Sequence, residues 1–257
     1  MDINNKNIVI TGASSGIGLS LLKMFLDYKD VKIIAVARHV ETIPLVEGVV
    51  YPFSADLSNE KGVDSLFEYA RSVFGKIDIF IANAGYAYLE KLFTPDWKHI
   101  EDIFALNVFS PIYSLEKFVR ENTSNPKSFV CTISAVAQVS LPYYSLYCST
   151  KAALHQFIEG YRYESPANLH ITAVYPVATR TSFFEKAAKE KQPPVPFFSQ
   201  SSETVAKAIV RGLEKDKKRV YPSFLFRIFN LLGQNFPFIF SLYSASEKRK
   251  VDNNLHF

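Results

Sequence analysis

Tyr147 and Lys151 stand four residues apart, and Ser134 lies thirteen residues before the tyrosine. At that spacing a phenol and an ammonium share one helix face, about a turn apart. A free phenol titrates near ~10, so a fixed positive charge beside it is expected to draw Tyr147 toward proton exchange at neutral pH. A serine hydroxyl such as that of Ser134 can hold a carbonyl oxygen against the same phenol. Far upstream, Thr11-Gly12-x-x-x-Gly16-x-Gly18 follows the apolar run Ile8-Val9-Ile10. Gly12 permits a tight bend, Gly16 lets backbone approach a phosphate, and Gly18 lets a following helix pack closely on a sheet. The spacing approximates the dinucleotide fingerprint without matching it. A glycine-rich turn with no ligand is the alternative.

These groups need a scaffold that brings positions 12 and 147 together. Short β-branched runs alternate with segments of helical period, the pattern of strand-helix-strand units on a parallel sheet. Strands are expected at Asn7–Thr11, Val31–Ala37, Val49–Ser54, Ile77–Ala82, Ser128–Ser134, His170–Tyr175 and Arg219–Tyr221, with helices between them. The fold class is therefore α/β, a doubly wound Rossmann-type parallel sheet of about seven strands with a short aromatic helical extension. In such a sheet, ligands sit beyond the C-terminal strand ends, where Gly12, Asn83, Ser134 and Pro176 all fall.

Composition narrows the classes. A chain of 257 residues that is 48% hydrophobic can bury one substantial core, and one domain is expected over 1–257. Its formal net charge of +4 is spread along the chain, which argues against nucleic acid as a partner. Cys131 and Cys148 are the only cysteines and form no metal or disulfide pattern, so no metal is expected and a reducing compartment fits. The N-terminus lacks the apolar core of a signal peptide, and no apolar run is long enough to span a bilayer. The cytoplasm is the expected location.

With Asp56-Leu57, Asn83-Ala84-Gly85, Asn107 in a Leu-Asn-Val context, and Pro176 with Thr181 all in order, the chain resembles the short-chain dehydrogenase/reductase superfamily in its compact single-domain branch, from about Lys6 to about Ser223. The resemblance implies that Ser134, Tyr147, Lys151 and Asn107 are the catalytic set, Asn107 holding a water on a proton relay to Lys151. It implies cofactor contacts from Gly12, Ser14, Ser15, Gly16, Ile17 and Gly18 in the turn, and from Asp56 and Leu57 at the adenine. Asn83, Ala84 and Gly85 would line the adenosine side, Tyr147 and Lys151 the nicotinamide ribose, and Pro176, Thr179 and Thr181 the carboxamide. Asn83 read by itself could equally be a turn residue closing a strand. Relatives commonly pair as homodimers or homotetramers through the helices that carry Asn107 and Lys151. Two departures stand out. Val177 follows Pro176 where the family usually has Gly, so the loop there is expected to differ, and Ala82 precedes Asn83 where a second Asn is common.

Cofactor choice is read from the second strand, which ends Val36-Ala37-Arg38. A carboxylate there would bond a ribose hydroxyl, whereas the planar charged fork of Arg38 suits a 2′-phosphate. NADP(H) is expected over NAD(H), and because Ser15 stands where many such relatives carry a second basic residue, use of NAD(H) stays open. A solvated arginine at a strand end is the plain alternative.

The substrate walls are expected to be aromatic and apolar, with Ser134, Tyr86, Val139, Tyr144 and Phe183 as contacts and Tyr88, Pro142, Tyr143 and Phe184 nearby. Such walls favour an apolar carbonyl or secondary alcohol, steroid-like, retinoid-like or a fatty ketone; core packing would explain the same rings. Residues 182–198 form the expected lid. Lys186, Lys189 and Lys191 in it leave room for a 3-oxoacyl carrier ketoreductase, and an NADPH-binding regulator without turnover is the non-enzymatic alternative. The extension at 224–257 holds six Phe and Tyr243 between Phe224 and Tyr243, followed by Lys248-Arg249-Lys250. It would pack on the domain or a second copy, cover the substrate entrance, or make a peripheral membrane contact.

Overall fold

The computed structural model describes residues 1–121, 126–188, 194 and 196–254. The chain begins with β1 (Asn7–Thr11), α1 (Gly16–Phe25), β2 (Lys32–Ala37), β3 (Val50–Ser54), α2 (Glu60–Phe74) and β4 (Ile79–Ala82). A long helical segment follows: α3 (Trp97–Phe104), a π-helical turn at Ala105–Phe109, and α4 (Ser110–Glu121). Then come β5 (Lys127–Thr132), a 3-10 turn at Ala135–Ala137, α5 (Ser145–Tyr161), β6 (Leu169–Val174), β7 (Ala178–Arg180) and α6 (Ser182–Ala187). The chain continues through β8 (Ser199–Ser201), α7 (Ser202–Glu214), β9 (Arg219–Val220), α8 (Phe224–Asn235) and α9 (Phe238–Asn254).

Seven strands form one parallel sheet in the order β3-β2-β1-β4-β5-β6-β9. Each coincides with an expected strand to within about two residues. The runs are legible because a parallel sheet is covered on both faces and its strands are apolar at successive positions. Ile8 and Ile10 pack on one face with Leu21 and Phe25 of α1 and Ile209 and Leu213 of α7. Val9 packs on the other with Phe67 of α2, Phe118 of α4 and Leu154 of α5. There Phe80 lies between Phe67 and Phe129, its ring centroid 5.5 and 5.4 Å from theirs. Each such fully buried ring contributes about 2 kcal/mol of transfer free energy.

The chain builds outward from β1 to β3, then returns to add β4 on the other side. This places the topological switch between β1 and β4, the crevice where doubly wound sheets bind ligands. One element departs from expectation. The segment after Pro176, expected as a loop, includes β7, which pairs in parallel with β8 through Ala178–Ser199, Thr179–Gln200 and Arg180–Ser201. The segment between them, 182–198, is thus tethered at both ends. Residues 189–193 and 195 within the expected lid, with Lys189 and Lys191, and residues 255–257 of the extension lie outside the described residues. The extension is the helical pair α8–α9, folded back on the domain.

Candidate active site

A cavity of about 590 Å3 runs from the glycine turn to the C-terminal helices. The turn forms its floor. Gly12 and Gly16 have φ of +68° and +54°, which side-chain-bearing residues rarely adopt. A Cβ on Gly12 would lie 3.1 Å from the Ala84 Cα, and one on Gly16 would lie 3.0 Å from the Thr181 methyl carbon. Gly18 does not reach the cavity. A Cβ there would stand 2.2 Å from the Gly12 carbonyl oxygen, so this glycine lets α1 close on the turn, the packing task expected of it. Ser15 occupies the N-cap of α1 without spending its side chain on capping. Ser14, Ser15, Gly16 and Ile17 all line the cavity at that helix end, where amides and the helix dipole favour an anion.

The gap between β1 and β4 is held by polar bonds. Thr11 Oγ1 accepts from the amides of Asn83 and Ala84, at 2.9 Å each, and donates to the Ile81 carbonyl at 3.2 Å. Asn83 Nδ2 donates to the Thr11 carbonyl at 3.1 Å, and Thr132 Oγ1 donates to Asn83 Oδ1 at 3.3 Å. Asn83 is therefore more than a turn residue, since its amide ties β1 to β5. Arg38, Asp56 and Leu57 line one end of the cavity, with Arg38 and Asp56 exposed and Leu57 buried. Asp56 Oδ1 accepts from the Ser58 amide at 3.0 Å, a local turn bond.

Ser134, Tyr147 and Lys151 meet at the other end. All three are nearly buried. Tyr147 and Lys151 follow each other up the inward face of α5, while Ser134 leaves the end of β5 and accepts from the Val136 amide at 3.3 Å. Lys151 Nζ passes 5.8 Å from the centre of the Tyr147 ring and donates to the Thr132 carbonyl at 3.0 Å. Burial pushes the Tyr147 phenol above its ordinary range, and a hydrogen bond with Ser134 is the influence drawing it back. Burial also lowers the Lys151 ammonium, to about 8. The expected lowering of the phenol by the lysine is corrected on this point: shared burial outweighs the ammonium, which is directed at the strand carbonyl.

Asn107 comes from the segment between α3 and α4. It is fully buried in the π-helical turn and lies behind the cavity wall. Its Oδ1 accepts from the Tyr86 amide at 3.0 Å, and its Nδ2 donates to the Tyr86 carbonyl at 2.8 Å and to Thr150 Oγ1 at 3.1 Å. Asn107 thus clamps the segment after Gly85 and ties it to α5. A Cβ on Gly85 would lie 3.0 Å from Asn107 Oδ1 and 3.6 Å from Lys151 Nζ, so glycine there permits the approach of both. The π turn is closed by the Ser110 amide donating to the Ala105 carbonyl. Next comes Pro111, which has no N–H to return to the carbonyl four residues back, that of Asn107.

Pro176, Thr179 and Thr181 line the cavity on the β7 side. Thr181 also caps α6, its hydroxyl accepting from the Phe183 amide at 3.3 Å. Of the expected substrate contacts, Tyr86, Val139 and Phe183 line the cavity, Phe183 with its ring 5.5 Å from that of Tyr147. Tyr144 does not. It is buried behind the wall, edge-on to Phe184 at 5.8 Å, because its inward direction is taken up by α6. Sequence reasoning missed Phe198, Phe226 and Tyr243 as individual wall residues. Phe226 and Tyr243 come from α8 and α9 and meet at Phe198, at 5.7 and 5.8 Å between ring centroids. The buried positions of α8 are Phe226, Asn230 and Gly233, and with apolar residues also on its exposed face the sequence carried no signal that singled out Phe226.

The profile of the short chain dehydrogenase family matches residues 6–192, so the chain belongs to that family of oxidoreductases. Similar curated relatives include the uncharacterized oxidoreductase YxnA of Bacillus subtilis, 28% identical over 91% of this chain and 70% of its own length. Another is 11-beta-hydroxysteroid dehydrogenase-like 3 of Arabidopsis thaliana, 29% identical over 82% of this chain and 71% of its own. Among solved structures, a short chain dehydrogenase from Burkholderia cenocepacia in complex with NADP shares the fold at a TM-score of 0.79. It is 24% identical, with 92% of this chain and 95% of that one covered. A Burkholderia phymatum short chain dehydrogenase/reductase in complex with NAD matches at a TM-score of 0.80, 18% identity, and coverage of 91% and 95%.

Proposed function

We propose that the protein interconverts a carbonyl and a secondary alcohol on an apolar substrate, using NADP(H) in preference to NAD(H), with Tyr147 exchanging the proton. The observation that carries this reading is a single cavity with the glycine turn and Arg38 toward one end and Ser134, Tyr147 and Lys151 toward the other. The chain's own groups fit a nicotinamide dinucleotide. Gly12 and Gly16 keep the floor free of side chains, the α1 amides face the cavity, and exposed Arg38 offers a phosphate a bidentate fork. Hydride exchange at the substrate carbon is the chemistry such a dinucleotide supplies when bound.

The remaining steps belong to the protein. Ser134 Oγ, which donates to the Pro176 carbonyl at 3.4 Å, turns to orient the substrate oxygen toward the neighbouring Tyr147 hydroxyl. A buried phenol held protonated suits donation, so Tyr147 Oη gives its proton to that oxygen in reduction and takes it back in oxidation. Lys151 would hold the nicotinamide ribose and help return a proton to the phenol. Asn107 acts at one remove, as the positioning residue that fixes Tyr86 and the backbone after Gly85. Residues 182–198 serve as the lid, and copies of the chain pair through the outer faces of the helical segment bearing Asn107 and of α5, where Phe109 is exposed.

The apolar substrate is supported by the walls of Val139, Phe183, Phe198 and Phe226, and by the hydroxysteroid dehydrogenase-like name of the Arabidopsis relative. The test is Tyr147→Phe, assayed with NADPH and a panel of apolar ketones. Turnover is expected to fall by roughly 10^3-fold while NADPH affinity is kept. Undiminished turnover would defeat the reading. Activity confined to carrier-linked 3-keto thioesters would replace it with the carrier ketoreductase, and NADPH binding without any turnover would support the regulator.

A further inference from the structure

The inward faces of α8 and α9 supply Phe226 and Tyr243 to the cavity wall, but their outward faces are also apolar. Phe224, Leu225, Leu231, Phe236, Phe238 and Leu242 are each more than half exposed. The two helices are closely joined. A Cβ on Gly233 of α8 would fall 2.0 Å from the Phe240 ring of α9, and Phe229 lies 5.5 and 5.3 Å from Phe240 and Tyr243. Phe236 and Phe238 flank Pro237 at the turn between the helices, so two exposed rings stand at its tip. Patches of this size on a folded surface mark an interaction site.

The charge of the segment indicates what covers it. No Asp or Glu occurs from 217 to 246, a stretch that holds Lys217, Lys218, Arg219 and Arg227. Arg219 is paired with Glu159. Arg227 is exposed on α8 between Phe224 and Leu231 and has no carboxylate partner among the described residues. In a two-fold contact this face would meet its own acid-free copy and bury Arg227 with no counter-charge. A phosphate headgroup supplies one, while the arginine stem lies along the apolar surface. No helix among the described residues is long and apolar enough to cross a membrane, so the contact lies in the plane of the interface.

We propose that the α8–α9 hairpin is a lipid-docking element that seats the protein on an anionic bilayer, so that the wall of the substrate cavity and the membrane-facing surface are two sides of one hairpin. An apolar substrate then enters from the lipid beside α8 and α9 without crossing water. This rests on the apolar-substrate reading above, and it adds where that substrate is drawn from. The hairpin is fastened to the cavity rim by Ser244 Oγ donating to the Ser140 carbonyl at 2.8 Å and by the Phe197 amide donating to Glu247 Oε1 at 3.3 Å. Val251 is buried in the same cluster as Ala187 and Ala188 at the end of α6.

The test is flotation of the full chain with phosphatidylcholine vesicles, with and without phosphatidylserine. Wild type is expected to float with the anionic vesicles. The double variant Phe236→Ser, Phe238→Ser should lose about tenfold in partitioning, and Arg227→Glu should lose the preference for phosphatidylserine, each with an unchanged melting temperature and NADPH affinity. Failure of wild type to float, or equal flotation of the double variant, would overturn the proposal. Sedimentation equilibrium in the same buffers gives a further arm: a dimer that the double variant dissociates would assign the face to a second copy. Flotation needs no turnover, so docking by a protein that reduces no ketone would leave the lipid-docking role of the hairpin standing while removing the reductase reading and, with it, substrate entry from the lipid. In active protein, the double variant should reduce a vesicle-dissolved long-chain methyl ketone several-fold more slowly and a water-soluble short-chain ketone at the wild-type rate. Equal rates on the vesicle-borne ketone would overturn entry from the lipid.

Discussion

The two ends of the cavity are built by different means. At the dinucleotide end the walls are backbone, held by glycines that exclude side chains and by a few polar bonds around Thr11 and Asn83. At the substrate end the walls are apolar side chains gathered from the 3-10 turn after β5, from α6, from the approach to β8 and from α8 and α9. A backbone wall tolerates almost no change at its glycines, whereas a side-chain wall can be reshaped one residue at a time. One end is therefore specified by a few short motifs and the other by dispersed packing.

Four substitutions test that contrast, in falling order of expected effect. Gly18→Val drives a side chain into the Gly12 carbonyl, and the loss should reach about 3 kcal/mol or more with NADPH binding abolished, checked by urea unfolding and fluorescence titration. Arg38→Asp should weaken NADPH binding by roughly 10- to 100-fold and leave NADH nearly unaffected, since only the 2′-phosphate loses its partner. Equal loss for both dinucleotides would remove Arg38 from cofactor choice.

Lys151→Met removes a cation that burial holds at about 8, below its unfolded value. A depressed lysine contributes its stability above the unfolded value and loses it as pH falls through about 8, so at neutral pH the charge is a burden. The protein without nucleotide should therefore gain roughly 2 kcal/mol from the substitution near pH 7, with the advantage shrinking as pH rises from 8 toward 10. Melting curves across that window decide it, and a constant difference would show that the lysine does not titrate there. The raised phenol of Tyr147 works the other way only above pH 10, where an unfolded tyrosine ionises and the buried one does not. The smallest effect is expected of Phe226→Leu, which should change KM for a bulky ketone several-fold while leaving NADPH affinity intact, as steady-state kinetics would show. A matching loss of NADPH affinity would mean that the two ends are not separable.

The same contrast explains what could be read from residues alone. Strands such as Lys32–Ala37 stood out because both faces of the sheet are covered, and the turn residues because each glycine has a conformational task. The substrate end was less legible for three physical reasons. Outward positions of α8 are as apolar as inward ones, so no period distinguishes the wall residue Phe226 from the exposed Phe224 and Leu225. Tyr144 and Phe183 are both rings near Tyr147 in the fold, and only the placement of α6 decides which one faces the cavity. Asn107 was legible through its Leu-Asn-Val context, but its two bonds to the Tyr86 backbone are made from a π turn that sequence period does not reveal.

Where β1 and β4 part at the mouth of the crevice, Thr11 Oγ1 stands in for a peptide group. It adds one rung to the ladder after the strands have diverged, serving two amides and a carbonyl with a single oxygen. The hydroxyl thus acts as a gauge block that sets how far the strands can separate. Side chains around the substrate can be exchanged without touching this oxygen, so the opening for the nucleotide keeps its width whatever shape the far end of the cavity takes.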